Sequence, residues 1–246
     1  MSTFVLVHGS WHGAWCWDKI TPSLQNAGHR VIAIDLPGHG LDTTPVQEVT
    51  FKDYTNRLCS VLDNESKKVI LVGHSSGGYA ISQTAEYRPE KIQTLVYLCA
   101  YLPKNEQTLL QIAQSEQKDT TSETPSAVVL SDDQTYMSLN GDLVKASFYD
   151  DCSDEDVLFA KERICLDPMG PFITPVHLTD DNFGSIPRVY IETLKDKAIS
   201  IGLQRQMYAQ SPCKEVITMD TAHSPFFSQP EVLTSHLNHI AQTSNE

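Results

Sequence analysis

A doubly wound α/β fold, with helices on both faces of a mostly parallel six-stranded sheet and a cap subdomain inserted into it, is what this chain predicts. Three observations carry that reading. Six short apolar runs, at 4–7, 31–34, 69–72, 95–98, 189–191 and 216–219, are rich in Val, Ile and Leu and mostly continuous instead of alternating; this is the pattern of strands buried on both faces. Segments of helical periodicity separate them, and strand alternating with helix winds a parallel sheet. Between 103 and 182 the rhythm breaks, and the chain becomes polar and Asp-rich while keeping Tyr136, Met137, Phe148, Tyr149, Phe159 and Phe172, too many large apolar groups for a disordered linker. The domain division is therefore a core of 1–102 with 183–246, and an inserted cap of 103–182.

Each helix is read from spacing and ends. Trp17, Ile20, Leu24 and Ala27 follow a 3-4-3 spacing that Gly28 can close. Phe51, Tyr54, Leu58 and Val61 repeat it behind an N-cap at Thr50. Near the C-terminus Ser228 with Glu231 predicts a capping box ahead of Val232, Leu233, Leu237 and Ile240. Within the cap, short strands are expected at 127–130 and 136–139, with a turn signal at Asn140-Gly141. A helix is expected from Ser153, with Asp154, Glu155 and Asp156 in its first turn. Helix-start acids explain that acidic cluster better than a metal site.

Composition narrows the function. The chain has 246 residues, 31 acidic and 18 basic, for a formal charge of −13. Such an excess repels phosphate backbones and anionic membranes, so no nucleic-acid or membrane partner is expected. No apolar run approaches the roughly 18 residues of a membrane span. The start Met1-Ser2-Thr3 leads straight into the first apolar run without a basic region, which predicts a cytoplasmic protein. Six cysteines, at 16, 59, 99, 152, 165 and 213, form no CxxC pair and read as free thiols.

The chemistry begins at Gly73-His74-Ser75-Ser76-Gly77. This G-x-S-x-G element follows an apolar run and precedes a helical stretch, the strand–turn–helix setting of a nucleophile elbow in an α/β-hydrolase fold. Ser75 is the expected nucleophile. A serine hydroxyl needs a base to take its proton; His223, in the loop after the last strand, is the best placed of the nine histidines. The base needs a carboxylate. Asp196, just past the 189–191 strand, gives the Ser…Asp…His order of this fold, with Asp220 as the rival. The position one strand earlier offers Cys99-Ala100-Tyr101 and no carboxylate. The oxyanion donors are expected to be the backbone N–H groups of Ser10 and Ser76. His8 and His12 lie four apart but lack a third ligand, so they are read as loop-shaping residues and no metal is expected. The turn Gly38-His39-Gly40 is assigned no chemistry.

The run Phe4-Val5-Leu6-Val7-His8-Gly9-Ser10-Trp11-His12-Gly13-Ala14-Trp15-Cys16-Trp17, with Ala27-Gly28-His29, Val72-Gly73-His74-Ser75, Cys152-Ser153-Asp154-Glu155-Asp156, Phe183-Gly184-Ser185 and Arg188-Val189-Tyr190-Ile191, resembles the plant hydroxynitrile lyase and methylesterase group of α/β-hydrolases and its bacterial esterase relatives. The resemblance implies that lyases carry a threonine after the first-loop histidine and a lysine after the catalytic histidine. This chain has Gly9 and Ser224 there, so the resemblance points to hydrolysis of small or medium carboxylic esters, with cyanohydrin cleavage or ligand sensing as the alternatives. Acyl transfer through these residues requires no metal or organic cofactor; the partner expected is a small-molecule ester, for a monomer or, as the resemblance allows, a homodimer. Trp11, Tyr101, Tyr136, Met137, Phe148 and Ser224 are expected to contact substrate.

Overall fold

A computed structural model describes residues 1–115 and 126–244. The strands, in chain order, are β1 (Thr3–Val7), β2 (Arg30–Ile34), β3 (Val69–His74), β4 (Ile92–Leu98), β5 (Val128–Leu130), β6 (Tyr136–Leu139), β7 (Asp167–Pro168), β8 (Arg188–Thr193) and β9 (Glu215–Met219). Six of them form one sheet in the order β2-β1-β3-β4-β8-β9, with every neighbouring pair parallel. The six apolar runs of the sequence are these six strands.

Successive side chains of a strand point to opposite faces, and here both faces are buried. Val5, Val7, Val69, Leu71, Leu95, Tyr97 and Tyr190 belong to one apolar cluster. Phe4, Leu6, Ile70, Val72, Val96, Leu98, Val189 and Ile191 belong to the other. β9 lies at the sheet edge, and there Val216 is exposed.

The helix Phe51–Asp63 starts at Thr50, which with Asp53 closes a capping box, and it buries Phe51, Tyr54, Leu58 and Leu62. Two expectations need correction. The spacing 17–27 predicts one helix, but the chain makes a 3-10 turn, Ala14–Trp17, and then a separate helix, Thr21–Asn26. Pro22 has no N–H to extend an earlier turn and suits a helix start. Gly28 does close this helix, at φ +87°. The capping box Ser228–Glu231 does not form. Ser228 ends its own short turn, Pro225–Ser228, and the last helix, Pro230–Thr243, starts on its proline with no side-chain cap.

Between β4 and β8 the alternation stops, and β5, β6 and β7 form a small antiparallel sheet. The hairpin closes through 131–135; Asn140-Gly141 instead leads toward the helix Val144–Phe148. The helix Asp154–Lys161 is capped by Ser153, as its sequence predicts. Val144, Phe148 and Tyr149 are buried in the same cluster as Phe4 and Leu6, so the inserted segment shares its apolar packing with the core. Part of the expected cap, 116–125, lies outside the described residues. Among the described residues no helix is long and apolar enough to cross a membrane. All six cysteines are free.

Candidate active site

The strand order places β1 beside β3, with the chain running outward from them in both directions. In an open parallel sheet the crevice at the carboxyl ends of such a switch point is where ligands bind. Ser10 follows β1, Ser75 follows β3, Asp196 follows β8 and His223 follows β9, so the fold brings all the expected chemical groups to one rim.

Ser75 turns the chain from β3 into the helix Gly77–Tyr87, at φ +53°. That left-handed conformation is strained for any residue with a Cβ. It is held by three bonds: the Ser75 N–H donates to Leu98 O at 3.3 Å, and Ser75 O accepts from Gly78 N at 3.1 Å and Tyr101 N at 3.0 Å. The turn is tight enough to demand glycine on either side. A Cβ at Gly73 would sit 2.7 Å from Gly77 backbone, and one at Gly77 would sit 2.6 Å from His8 O. Gly77→Ala should therefore destabilise the protein by about 2–3 kcal/mol through overpacking. Urea denaturation measures this, and an unchanged midpoint would contradict the close approach.

His223 and Asp196 meet directly. His223 Nδ1 lies 2.7 Å from Asp196 Oδ2, with both side chains buried. The other carboxylate oxygen accepts from Ala198 N at 2.8 Å and Ile199 N at 2.9 Å, while Thr193 Oγ1 donates to Oδ2 at 3.1 Å. A carboxylate so held makes Nδ1 the protonated nitrogen and leaves Nε2 with its lone pair. Gln204 braces the loop, donating to Ile199 O at 2.8 Å and accepting from Thr193 N at 3.0 Å. The rival Asp220 is exposed and paired with Lys195 at 2.8 Å.

His74 links elbow to base loop: its Nε2–H donates to His223 O at 2.8 Å, and the two rings lie 4.6 Å apart. The Cys99 thiol donates to the same carbonyl at 3.5 Å. His74, Cys99 and His223 each bring a ligand atom within 4.8 Å of the others. His74 Nε2 and Cys99 Sγ are spent on the His223 carbonyl and His223 Nδ1 on Asp196, while His74 Nδ1 makes no bond, so His74 and Cys99 brace the loop that carries His223. His8 and His12 are also fully employed. His8 Nδ1 donates to Gly9 O at 2.8 Å and its Nε2 accepts from Leu36 N at 3.1 Å. His12 Nδ1 donates to Ser10 O at 2.7 Å and its Nε2 accepts from Tyr149 OH at 2.6 Å. The acidic residues at the helix start are likewise used singly: Asp151 accepts from Ala222 N, Asp150 pairs with Lys197, and Asp156 pairs with Lys19.

Burial holds His8 and His74 well below the ordinary imidazole range, and pushes His12 down to about 4. The unfolded chain takes up these protons near pH 6.5 and the folded chain does not, so stability rises with pH through that window. It is fully present above pH 6.5 and is lost as pH falls toward 4. For His12 alone the loss is about 3 kcal/mol. Urea midpoints at pH 7.5 and 4.5 test it; equal midpoints would contradict the buried neutral imidazoles.

The expected substrate contacts separate. The Trp11 ring lies 5.5 Å from Phe148, whose ring lies 5.8 Å from His223. Met137 is buried in the cluster that holds both. Tyr136 precedes Met137 on β6 and so points to the other face; it packs in neither core cluster. The Tyr101 N–H donates to Ser75 O and its side chain is partly buried against one core cluster, while Ser224 is fully buried with an unpartnered hydroxyl. Three partnerships escaped the sequence: His74 with His223, Gln204 with the Asp196 loop, and the buried His39 Nε2–Asp167 Oδ1 pair at 2.7 Å that ties the 38–40 turn to β7.

Comparison with known proteins fits this architecture. The chain is 36% identical over 251 residues to methylesterase 7 of Arabidopsis thaliana, covering 97% of this chain and 95% of that one. It is 35% identical over 250 residues to putative methylesterase 11, chloroplastic, of the same plant, covering 98% of this chain but spanning only 64% of that protein. It is also 34% identical over 256 residues to the plant's alpha-hydroxynitrile lyase, covering 97% and 96%. Among solved structures, a pyrethroid hydrolase from Sphingobium faniae superimposes with a TM-score of 0.88 at 29% identity, covering 98% of this chain and 97% of that one. The alpha/beta hydrolase family matches residues 4–235, and the chain belongs to that family and has its fold.

Proposed function

We propose that this chain is a carboxylic ester hydrolase acting through Ser75, His223 and Asp196. The observation that carries the reading is the buried imidazole–carboxylate contact of 2.7 Å at the rim where the elbow presents a strained serine. Ser75 Oγ attacks the ester carbonyl carbon as His223 Nε2 takes its proton. The resulting oxyanion is held by the N–H groups of Ser10 and Ser76. Collapse expels the alcohol, which leaves with the proton from His223, and an acyl group remains on Ser75. Water then attacks the acyl carbon, giving its proton to His223, and release of the acid restores the Ser75 hydroxyl. One ester and one water become one acid and one alcohol, with no metal or organic cofactor needed.

Sequence identity does not separate esterase from lyase, since relatives of both names match about equally. Position 9 does. A Cβ there would lie 2.6 Å from Ser75 Cβ, so this chain has no room beside the nucleophile for a hydroxyl-bearing side chain to grip a cyanohydrin. Ser224 carries no cation, and its buried position offers departing cyanide no positive charge. Met137 and Phe148 of the described part of the insertion pack with Trp11 in one apolar cluster, and the Phe148 ring lies 5.8 Å from that of His223, which favours small and medium esters with apolar parts. Turnover on a panel of p-nitrophenyl and methyl esters alongside mandelonitrile tests the reading. Ester hydrolysis should dominate; faster cyanide release than any ester turnover would overturn it.

A further inference from the structure

The two residues proposed to supply the oxyanion's backbone donors also touch through their side chains. Ser10 Oγ donates to Ser76 Oγ at 2.9 Å, joining the loop after β1 to the elbow after β3. Ser76 stands at the N-cap position of the helix Gly77–Tyr87, where a serine hydroxyl ordinarily accepts a bond from the first turn, yet it makes no such bond. Its oxygen is occupied by Ser10 instead. A serine hydroxyl has one proton to give. The Ser10 proton is spent on Ser76, and among the described residues no group accepts the Ser76 proton. That proton belongs to a half-buried hydroxyl one residue from the nucleophile.

We infer that the Ser76 hydroxyl is a third oxyanion donor, aimed by Ser10. The inference rests on the acyl-transfer reading of the site. As negative charge develops on the carbonyl oxygen, the Ser76 O–H adds its bond to those of the two backbone N–H groups. Donation from Ser10 into Ser76 Oγ polarises that hydroxyl and strengthens its own donation. Ser76 is then a catalytic residue and Ser10, in its side-chain role, a positioning residue.

Ser76→Ala keeps the backbone N–H and removes only the hydroxyl. Its kcat on a p-nitrophenyl ester should fall about 100-fold, the usual loss for one oxyanion donor, with KM changed less than about threefold. Ser10→Ala should fall less, roughly 10-fold, and the double variant should be no worse than Ser76→Ala, since both lesions remove one bond. The inhibition constant of a trifluoromethyl ketone, which forms the tetrahedral adduct, should rise by the factor by which kcat/KM falls, while that of the product acid stays constant. Ser76→Cys, which keeps the volume but donates weakly, covers the case in which alanine unsettles the turn; it should lose most of the same kcat. Full kcat in Ser76→Ala or Ser76→Cys, or additive losses in the double variant, overturns the inference. Ser75→Ala run beside them separates the two levels: if it is inactive while Ser76→Ala is unimpaired, only the third donor fails, and if it hydrolyses at the wild-type rate the reading of the whole site fails.

Discussion

Replacing Ser75 with alanine should lower kcat for ester hydrolysis by at least about 10⁴-fold, toward the loss of about 10⁶-fold seen when a triad serine is removed outright. What would remain is the modest assistance that oxyanion donors and binding give to water. The variant should fold normally. Alanine keeps the Cβ that already stands against Gly9, and the three bonds that hold the elbow at φ +53° all involve backbone atoms of residue 75. Thermal midpoints within about 2 °C, together with loss of p-nitrophenyl ester turnover and of covalent labelling by a fluorophosphonate, are the expected results. Near-wild-type turnover in the alanine variant would remove the acyl-enzyme from the account.

Asp196→Asn should cut kcat by about 10⁴-fold while leaving the fold intact. The reason lies in how the carboxylate is shared. Asp196 Oδ1 accepts two backbone N–H bonds, from Ala198 and Ile199. An asparagine can satisfy those donors only with its carbonyl oxygen, which turns its NH₂ toward His223 Nδ1. Two N–H groups cannot face each other, so the imidazole moves its proton to Nε2 and loses the lone pair that must accept the Ser75 proton. Asp220→Asn is the matched control, because that residue is exposed, pairs with Lys195 and makes no bond to His223. If Asp220→Asn shows the large loss and Asp196→Asn does not, the acid has been misassigned.

The correct and incorrect readings of the sequence divide along a physical line. Strands buried on both faces leave continuous Val, Ile and Leu runs, and all six were legible. So were Thr50 and Ser153 as helix starts, since a cap and its first turn are separated by only three residues. The first helix was overextended because the spacing of Trp17, Ile20 and Leu24 outweighed Pro22. Ser228 matched a capping box by pattern alone, but Pro225 had already started a helical turn that claimed it. Asn140-Gly141 carried a hairpin signal that the chain uses at a different kind of turn.

Local order along the chain therefore determined the six strands of the main sheet, the turn at Ser75 and several helix starts. Strand order in the sheet decided which distant side chains meet. His74 and the carbonyl of His223 are 149 residues apart, His39 and Asp167 are 128 apart, and Ser10 and Ser76 are 66 apart. No periodicity links such pairs: Ser10 meets Ser76 because β1 lies beside β3, His74 meets His223 because β8 and β9 follow β4 across the sheet, and His39 meets Asp167 because the small sheet brings β7 to the turn after β2. Periodicity reports which way a side chain faces relative to its own backbone; only the packed sheet determines what stands opposite it.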